Sequence, residues 1–591
     1  MESWNGNLRY QWDAHINSQE LVEYYLPSFQ SCARDSNVGG FMCTYNSLNG
    51  VPTCADPWLL QDVLREHWGW TSEQQWVTSD CDSIQNIYMP HHYTDTREEA
   101  VAAALNAGTD IDCGTYYQEH LPGALEQGLI NITTLDQALV RQYSSLVRLG
   151  YFDGTSVPYR SLGWDAVNTP ESQQLALRAA EEGIVLLKND GLLPMQIGSN
   201  MSIAVIGDWA NATTQMQGNY EGIAPYLHSP YYAANQTGAT VYLANQPGGQ
   251  GDPTTDNWRQ ITRAANQADV LIYLGGIDNS VEEEGMDRDY ISWTGAQLDV
   301  IESLGQMGKP VIVVQMGGQI DSSPISNNPN ISALLWGGYP GQDGGTAIFN
   351  IIQGITAPAG RLPVTQYPAN YVAQIPMTDM TLRPNATSGS PGRTYQWYNG
   401  EAIFEFGYGL HYTNFSASIQ SNSSASYGSS SNNSYSISDL TSNCDEQYMD
   451  RCAFQTVNVD VHNTGSVTSD YVALGYMTGQ HGPQPYPKKR LVSYTRLHDI
   501  TAGSTQTAAL NLTLASLARV ADNGDLTLYP GDYALLVDNK PLATMNFTLT
   551  GDATILDHWP QPPQATYQDS DYFVGGYGST YGSQIPSNKT V

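Results

Sequence analysis

Between residues 184 and 338 the chain carries six short apolar runs separated by stretches of helical periodicity. They are IVLLKNDGLLP (184–194), SIAVIGD (202–208), ATVYLAN (239–245), DVLIYLGG (269–276), PVIVVQMGG (310–318) and SALLWGG (332–338). Short apolar runs rich in branched residues, alternating with helices, are the pattern of parallel strands buried on both faces. Thr169-Pro170 supplies a helix start just ahead of the first run. An α/β domain over 170–415 is expected.

At 591 residues the chain is too long for one ordinary core, so further domains flank this one. Residues 1–160 show the same alternation. Asn17 caps a helix whose Leu21, Tyr24, Tyr25 and Phe29 share an apolar face. GGFMCTYN (39–46) reads as a short buried strand. Asp56-Pro57 then opens a helix with Leu60, Val63, Leu64 and His67 on one side, stopped at Gly69, and QWVTS (75–79) follows as a strand. Thr96 and Glu99 form a capping box for a helix ending at Gly108, and TDIDC (109–113) is another short strand. Strands joined through helices pair in parallel and carry function at their carboxyl ends. Asp80 and Asp112 both stand at such ends.

Downstream, SIQSNSSASYGSSSNNSYSISDLT (417–440) is Ser/Asn-rich, and 416–452 reads as a flexible or glycosylated linker or insertion. Short alternating strands over 453–550, TVNVDVHNTG, YVALGYMTG, TAALNLTL and GDYALLVDN, predict a small antiparallel sandwich. The tail, 551–591, turns Gly/Ser/Tyr-rich from Tyr567 and reads as disordered.

Asp plus Glu number 58 against 24 Lys plus Arg, a net charge of −34. Such a surface repels phosphate backbones, which argues against nucleic acid and anionic membranes and for a neutral substrate. The 38 Tyr and 13 Trp supply flat rings of the kind that line carbohydrate sites. No apolar run reaches the roughly 20 residues of a membrane span. MESWNGNLRYQW has no signal-peptide core, yet N-x-S/T acceptors recur from Asn131 to Asn588 and lysine is scarce, which favours secretion. Of the 7 cysteines, Cys444 and Cys452 are close enough to suggest a disulfide; further pairs lie among Cys32, Cys43, Cys54, Cys81 and Cys113, and one thiol must stay unpaired.

Two acidic features carry chemistry. Asp80 closes the strand WVTS, where an acid more often caps the next helix. GGIDNSVEEEGMDRD (275–289) follows a buried strand and sets Glu282, Glu283 and Glu284 side by side. Such runs are usually solvated, but mutual repulsion within the triplet is expected to push one carboxyl pKa up. His91-His92 has no third ligand at a metal-site spacing and reads as a surface loop. GGYPGQDGG (337–345) lacks the Lys-Ser/Thr ending of a phosphate loop and reads as a tight turn into a helix.

Several long strings resemble glycoside hydrolase family 3, and within it the fungal β-xylosidases: FQSCARDSNVGGFMCTYNSLNGVPTCADPWLL, WVTSDCDSIQNIY, ALNAGTDIDCG, EEGIVLLKNDGLLP, EEEGMDRD, GYPGQDGGTAIFNIIQGITAPAGRLPVTQYP, GRTYQWYNG and FEFGYGLHYTNF. The likeness runs from near residue 4 to about 550. It implies the C-terminal part of a (β/α)8 barrel, then an α/β sandwich, then a fibronectin III-like domain. It also implies an extracellular exo-1,4-β-xylosidase that hydrolyses xylo-oligosaccharides with retention and uses no metal or organic cofactor. In the family pattern Asp80 is the nucleophile and Glu284 the general acid/base, while Tyr45 and Met42 line the first sugar subsite. Family β-glucosidases usually carry Trp where this chain has Cys81, which favours xylose; Cys113 is a candidate disulfide partner for that thiol beside the sugar, and Asp82 is expected to cap the following helix. β-Glucosidase and α-L-arabinofuranosidase are the competing activities.

A full barrel takes about 250 residues, whereas residues 1–160 hold strand signals only at 39–46, 75–79 and 109–113. By the family pattern these are the last three strands. The first five, and the Lys-His pair that members use on sugar hydroxyls, are expected to be absent, leaving an open sheet edge at Gly39–Tyr45. The alternative function class is therefore an inactive fragment that binds glycans or proteins.

Overall fold

The computed structural model describes residues 2–246, 253–420 and 433–563. The acceptors Asn422, Asn432 and Asn588, the centre of the Ser/Asn-rich stretch and most of the tail lie outside the described residues.

All six apolar runs form strands of one sheet. Its order is Thr240–Asn245, Ser202–Gly207, Val270–Gly276, Val311–Met316, Ala333–Gly338 and Val185–Asn189. The first five are parallel, and Val185–Asn189 closes the edge antiparallel to Ala333–Gly338. The runs are continuous in hydrophobicity because both faces are covered. Ile203 and Val205 join one core while Ala204 and Ile206 join the other, as the two-residue pleat requires. GGYPGQDGG is a turn leading into the helix Gly344–Gln353. A Cβ on Gly345 would stand 2.2 Å from the Ser229 carbonyl carbon, so only glycine lets this helix approach so closely.

The chain leaves Ser202–Gly207 for the edge strand on one side and leaves Val270–Gly276 for Val311–Met316 on the other. Connections that diverge from adjacent parallel strands open a crevice at their carboxyl ends, where ligands bind in such sheets.

In the N-terminal region Gly40–Cys43 pairs in parallel with Trp76–Ser79. Asn17 caps its helix through Glu20 N, and the Thr96–Glu99 capping box forms with Gly108 left-handed at its end. Two strand expectations change. Gly40–Cys43 is only half-buried: the pleat turns Cys43 inward and leaves Met42 52% exposed. TDIDC shrinks to a single parallel bridge, Thr78 to Ile111. Its Asp110 is spent on side-chain bonds, to Arg65 at 3.0 Å, Arg141 at 2.9 Å and the Val77 amide at 2.9 Å.

The third region has three mainly antiparallel sheets around one core, and the smallest, Arg519–Val520, Leu526–Leu528 and Thr554–Asp557, takes its last strand from the stretch read as disordered tail. The sequence reading missed the strands Arg490–Ile500 and Ala543–Thr550. The segment 416–452, read as linker or insertion, contributes to these sheets. Phe415–Ile419 pairs with Ala453–Asn463, and Ser434–Ser436 with Ala543–Thr550. Phe415–Ile419 alternates apolar residues with serine and Ser434–Ser436 sets one tyrosine between two serines, each at a sheet edge, so neither carries a continuous apolar run. Cys444–Cys452, Cys43–Cys54 and Cys81–Cys113 are disulfides, and Cys32 is free.

Candidate active site

Asp80 emerges where Trp76–Ser79 ends. Its amide donates to the Cys43 carbonyl at 3.0 Å, and its carboxylate accepts the Cys81 amide at 2.7 Å. The turn is tied to the neighbouring loop by the Cys81–Cys113 disulfide, by Cys113 N donating to Ser79 Oγ at 2.9 Å, and by Asp82 N donating to Cys113 O at 2.7 Å. Cys81 is exposed within this bond. Asp112, the other strand-end acid, is consumed by accepting the Tyr117 amide at 2.9 Å, at the start of the next helix. Asp82 holds the cap position of Ser83–Tyr88 but does not cap it. Its backbone is left-handed, φ 65°, and its side chain takes no bond from the first turn.

Tyr45, just beyond Gly40–Cys43, hydrogen-bonds Asp80 through its hydroxyl. Burial first, then the Asp80 charge, pushes the phenol up to about 12, with Arg9 opposing, so at neutral pH it donates to the carboxylate. Met42 projects into solvent from the same strand. His91 is no free surface-loop residue. Its Nε2 lies 2.7 Å from the Tyr45 carbonyl and its Nδ1 3.1 Å from Ser47 Oγ. Since a carbonyl only accepts, Nε2 carries the proton, and the ring pins the Tyr45 backbone.

The guanidinium of Arg9 lies 4.7 Å above the Tyr45 ring and reaches Glu284 at 2.8 Å and Glu2 at 3.0 Å. Asp80, Tyr45, Arg9 and Glu284 thus form one chain of contacts between the N-terminal region and the sheet's crevice. From the adjacent connection Tyr220, at φ 59° and 78% exposed, hydrogen-bonds Glu284. Asn279 Nδ2 donates to Gly218 O at 2.7 Å and holds the two loops together.

The expectation that like-charge crowding raises an acid in Glu282–Glu284 is overturned for Glu284. Glu282 is neutralised by Arg288 at 2.7 Å, and Glu283 is exposed in a tight turn with Met286. Hydrogen bonds from Tyr220 and Arg9 hold the Glu284 carboxyl below the usual range. Arg9, Tyr220 and His91 were missed as site residues because each comes from a different loop. Only the fold makes them neighbours. Among the described residues Glu182, Asp470 and His498 are spaced to hold a cation. Arg496 already lies 2.7 Å from Asp470 and 3.7 Å from Glu182, a fixed positive charge against those two carboxylates.

Residues 8–144 match the glycosyl hydrolase family 3 N terminal domain, and 184–412 the glycosyl hydrolase family 3 C-terminal domain. The chain is 51% identical to a probable exo-1,4-beta-xylosidase of Aspergillus fumigatus over 569 residues, covering 95% of this chain and 72% of that protein. A probable exo-1,4-beta-xylosidase of Neosartorya fischeri is likewise 51% identical, over 570 residues. A solved GH3 exo-beta-xylosidase, in complex with a xylobiose aziridine activity based probe, superposes with TM-score 0.89 at 43% identity, covering 95% of this chain and 72% of that one. The Listeria innocua beta-glucosidase shares the fold, TM-score 0.77, at 20% identity. The chain belongs to glycosyl hydrolase family 3.

Proposed function

We propose that this protein is a retaining exo-1,4-β-xylosidase that releases xylose from xylo-oligosaccharides, with Asp80 as nucleophile and Glu284 as general acid/base. The observation that carries the reading is the contact chain from Asp80 through Tyr45 and Arg9 to Glu284. It links a strand-end carboxylate, bonded besides to the Cys81 amide, to a second carboxylate across the crevice, the arrangement glycoside hydrolysis uses. The 51% identity to proteins named exo-1,4-beta-xylosidase supports the pentose choice over the β-glucosidase or α-L-arabinofuranosidase readings. Cys81, bonded to Cys113, and Met42 border the sugar subsite, and the C-terminal β domain is of fibronectin III type. Secretion is supported by the disulfides and the many glycosylation acceptors.

Asp80 attacks the anomeric carbon while Glu284 gives a proton to the departing oxygen; Glu284, ionised, then takes a proton from the water that releases the sugar. Arg9 and Tyr220 suit the second step directly. In the first, the leaving oxygen must displace Arg9 from Glu284. A fluorinated xyloside that traps the covalent intermediate should label the peptide containing Asp80, and Asp80→Gly should abolish turnover of an aryl β-xyloside with the fold intact. Labelling elsewhere, or turnover above a few per cent, removes Asp80 from the role.

A further inference from the structure

A second cleft of about 340 Å³ lies where the helical segment after Asn17 meets residues 367–394. That volume falls in the range of small-molecule sites. None of Asp80, Tyr45, Arg9, Tyr220 or Glu284 lines it. Its walls are rings: Trp12, Tyr24, Tyr25, and the pair Tyr367–Tyr371, stacked at 3.9 Å with planes 8° apart. Tyr24 stands edge-on to Tyr25 and is 45% exposed, leaving a ring face for an incoming ligand.

The polar features are few and fixed. Tyr25 donates its hydroxyl to the Met380 carbonyl at 2.8 Å, and the Tyr367 hydroxyl accepts the Thr394 amide at 2.8 Å, so these rings present edges and faces. Arg393 is the one charged lining residue. One of its Nη atoms donates to the Pro376 carbonyl at 2.8 Å, while its shielded Nε has no partner. Glu20 accepts the Leu382 amide at 2.8 Å, and Glu23 takes Arg383 and, at 3.0 Å, Trp397 Nε1. These bonds clamp the 377–394 wall against the helix, so the cleft exists before any ligand arrives. A preformed site loses little ordering entropy on binding.

From this we infer that the cleft is a second oligosaccharide site, separate from the catalytic crevice, which takes an uncharged pyranose chain. A sugar ring offers C–H faces to the tyrosines and a rim of oxygens to the guanidinium. A wholly apolar ligand would strip water from the Arg393 guanidinium without replacing its hydrogen bonds. An anion would have to approach a protein of net charge −34. The choice of xylose as the sugar rests on the function proposed above.

The test is calorimetric titration with thio-linked xylotetraose, which is not hydrolysed, beside kcat/KM on an aryl β-xyloside that carries one sugar. The intact protein should show two classes of site. Tyr24→Ala and Arg393→Met should each weaken one class at least tenfold and leave aryl xyloside hydrolysis within twofold. Tyr24 is exposed, so its variant should fold, with an unchanged Tm as the check. A single class of site in the intact protein, or unaltered affinities in both variants, overturns the inference. Tighter binding of a glucuronosyl-substituted oligosaccharide through the same residues overturns the uncharged ligand. Loss of aryl xyloside turnover in the intact protein would count against the proposed function alone, because the titration does not depend on catalysis.

Discussion

Replacing Tyr45 by Phe isolates one hydrogen bond of the catalytic reading. The ring that supports Arg9 at 4.7 Å is kept, and so is the backbone held by His91. Only the hydroxyl that donates to Asp80 is lost. With the phenol pushed up to about 12, that donor is present at every pH at which the enzyme would work. A hydrogen bond to a charged group contributes about 1.5–3 kcal/mol. Tyr45 and Asp80 are both half-buried, which points to the lower end. At about 1.4 kcal/mol per factor of ten, the expected loss in kcat/KM is about tenfold. The assay is steady-state hydrolysis of an aryl β-xyloside, with denaturation monitored in parallel to show that stability is unchanged. A kcat/KM within twofold of the parent would refute the argument, because the hydroxyl would then be idle at the proposed nucleophile. A loss traced entirely to unfolding would refute it equally.

Arg9→Gln removes a hydrogen bond and a charge that hold Glu284 low, so the alkaline limb of kcat/KM should move to higher pH; a limb that stays put or moves down contradicts Glu284 as the proposed acid. Asp110→Asn leaves Arg65 and Arg141 without their carboxylate beneath the strand that bears Asp80, and urea unfolding should show a loss of about 3–5 kcal/mol. A loss below about 1 kcal/mol would mean that this pair of ion pairs is not a support. His481 is buried against Tyr533, and burial with Arg519 and Arg490 lowers it to about 4. The unfolded chain, titrating near 6.5, therefore binds the extra proton between about pH 4 and 6.5, and stability must fall as pH drops through that window. His481→Gln should flatten the slope there, and an unchanged slope would place the titration elsewhere.

The sheet of the central domain was legible along the chain. Its strands are buried on both faces, so the residues of SIAVIG after Ser202, and all of VLIYLGG, are apolar or glycine and the signal is continuous. Caps at Asn17 and Thr96 were equally legible, since capping is a local bond between near neighbours. Asp80 was readable as a strand-end acid, and Glu284 as an acid after a buried strand, each by motif. Where the signal is spread over both faces or lost at an edge, reading stopped. FSASI and SYS are strands only because partners arrive from 453–463 and 543–550. TDIDC looked like a strand, yet Asp110 turns inward to two arginines that lie far away in sequence. The charge state of Glu284 was decided by tertiary structure alone. Reading the triplet in isolation made its neighbours repulsive; folding hands Glu282 to Arg288 and brings Arg9 and Tyr220 to Glu284 from loops that sequence separation keeps apart. A carboxyl's ionisation depends on what stands within a few ångströms in space, and no pattern along the chain records that distance.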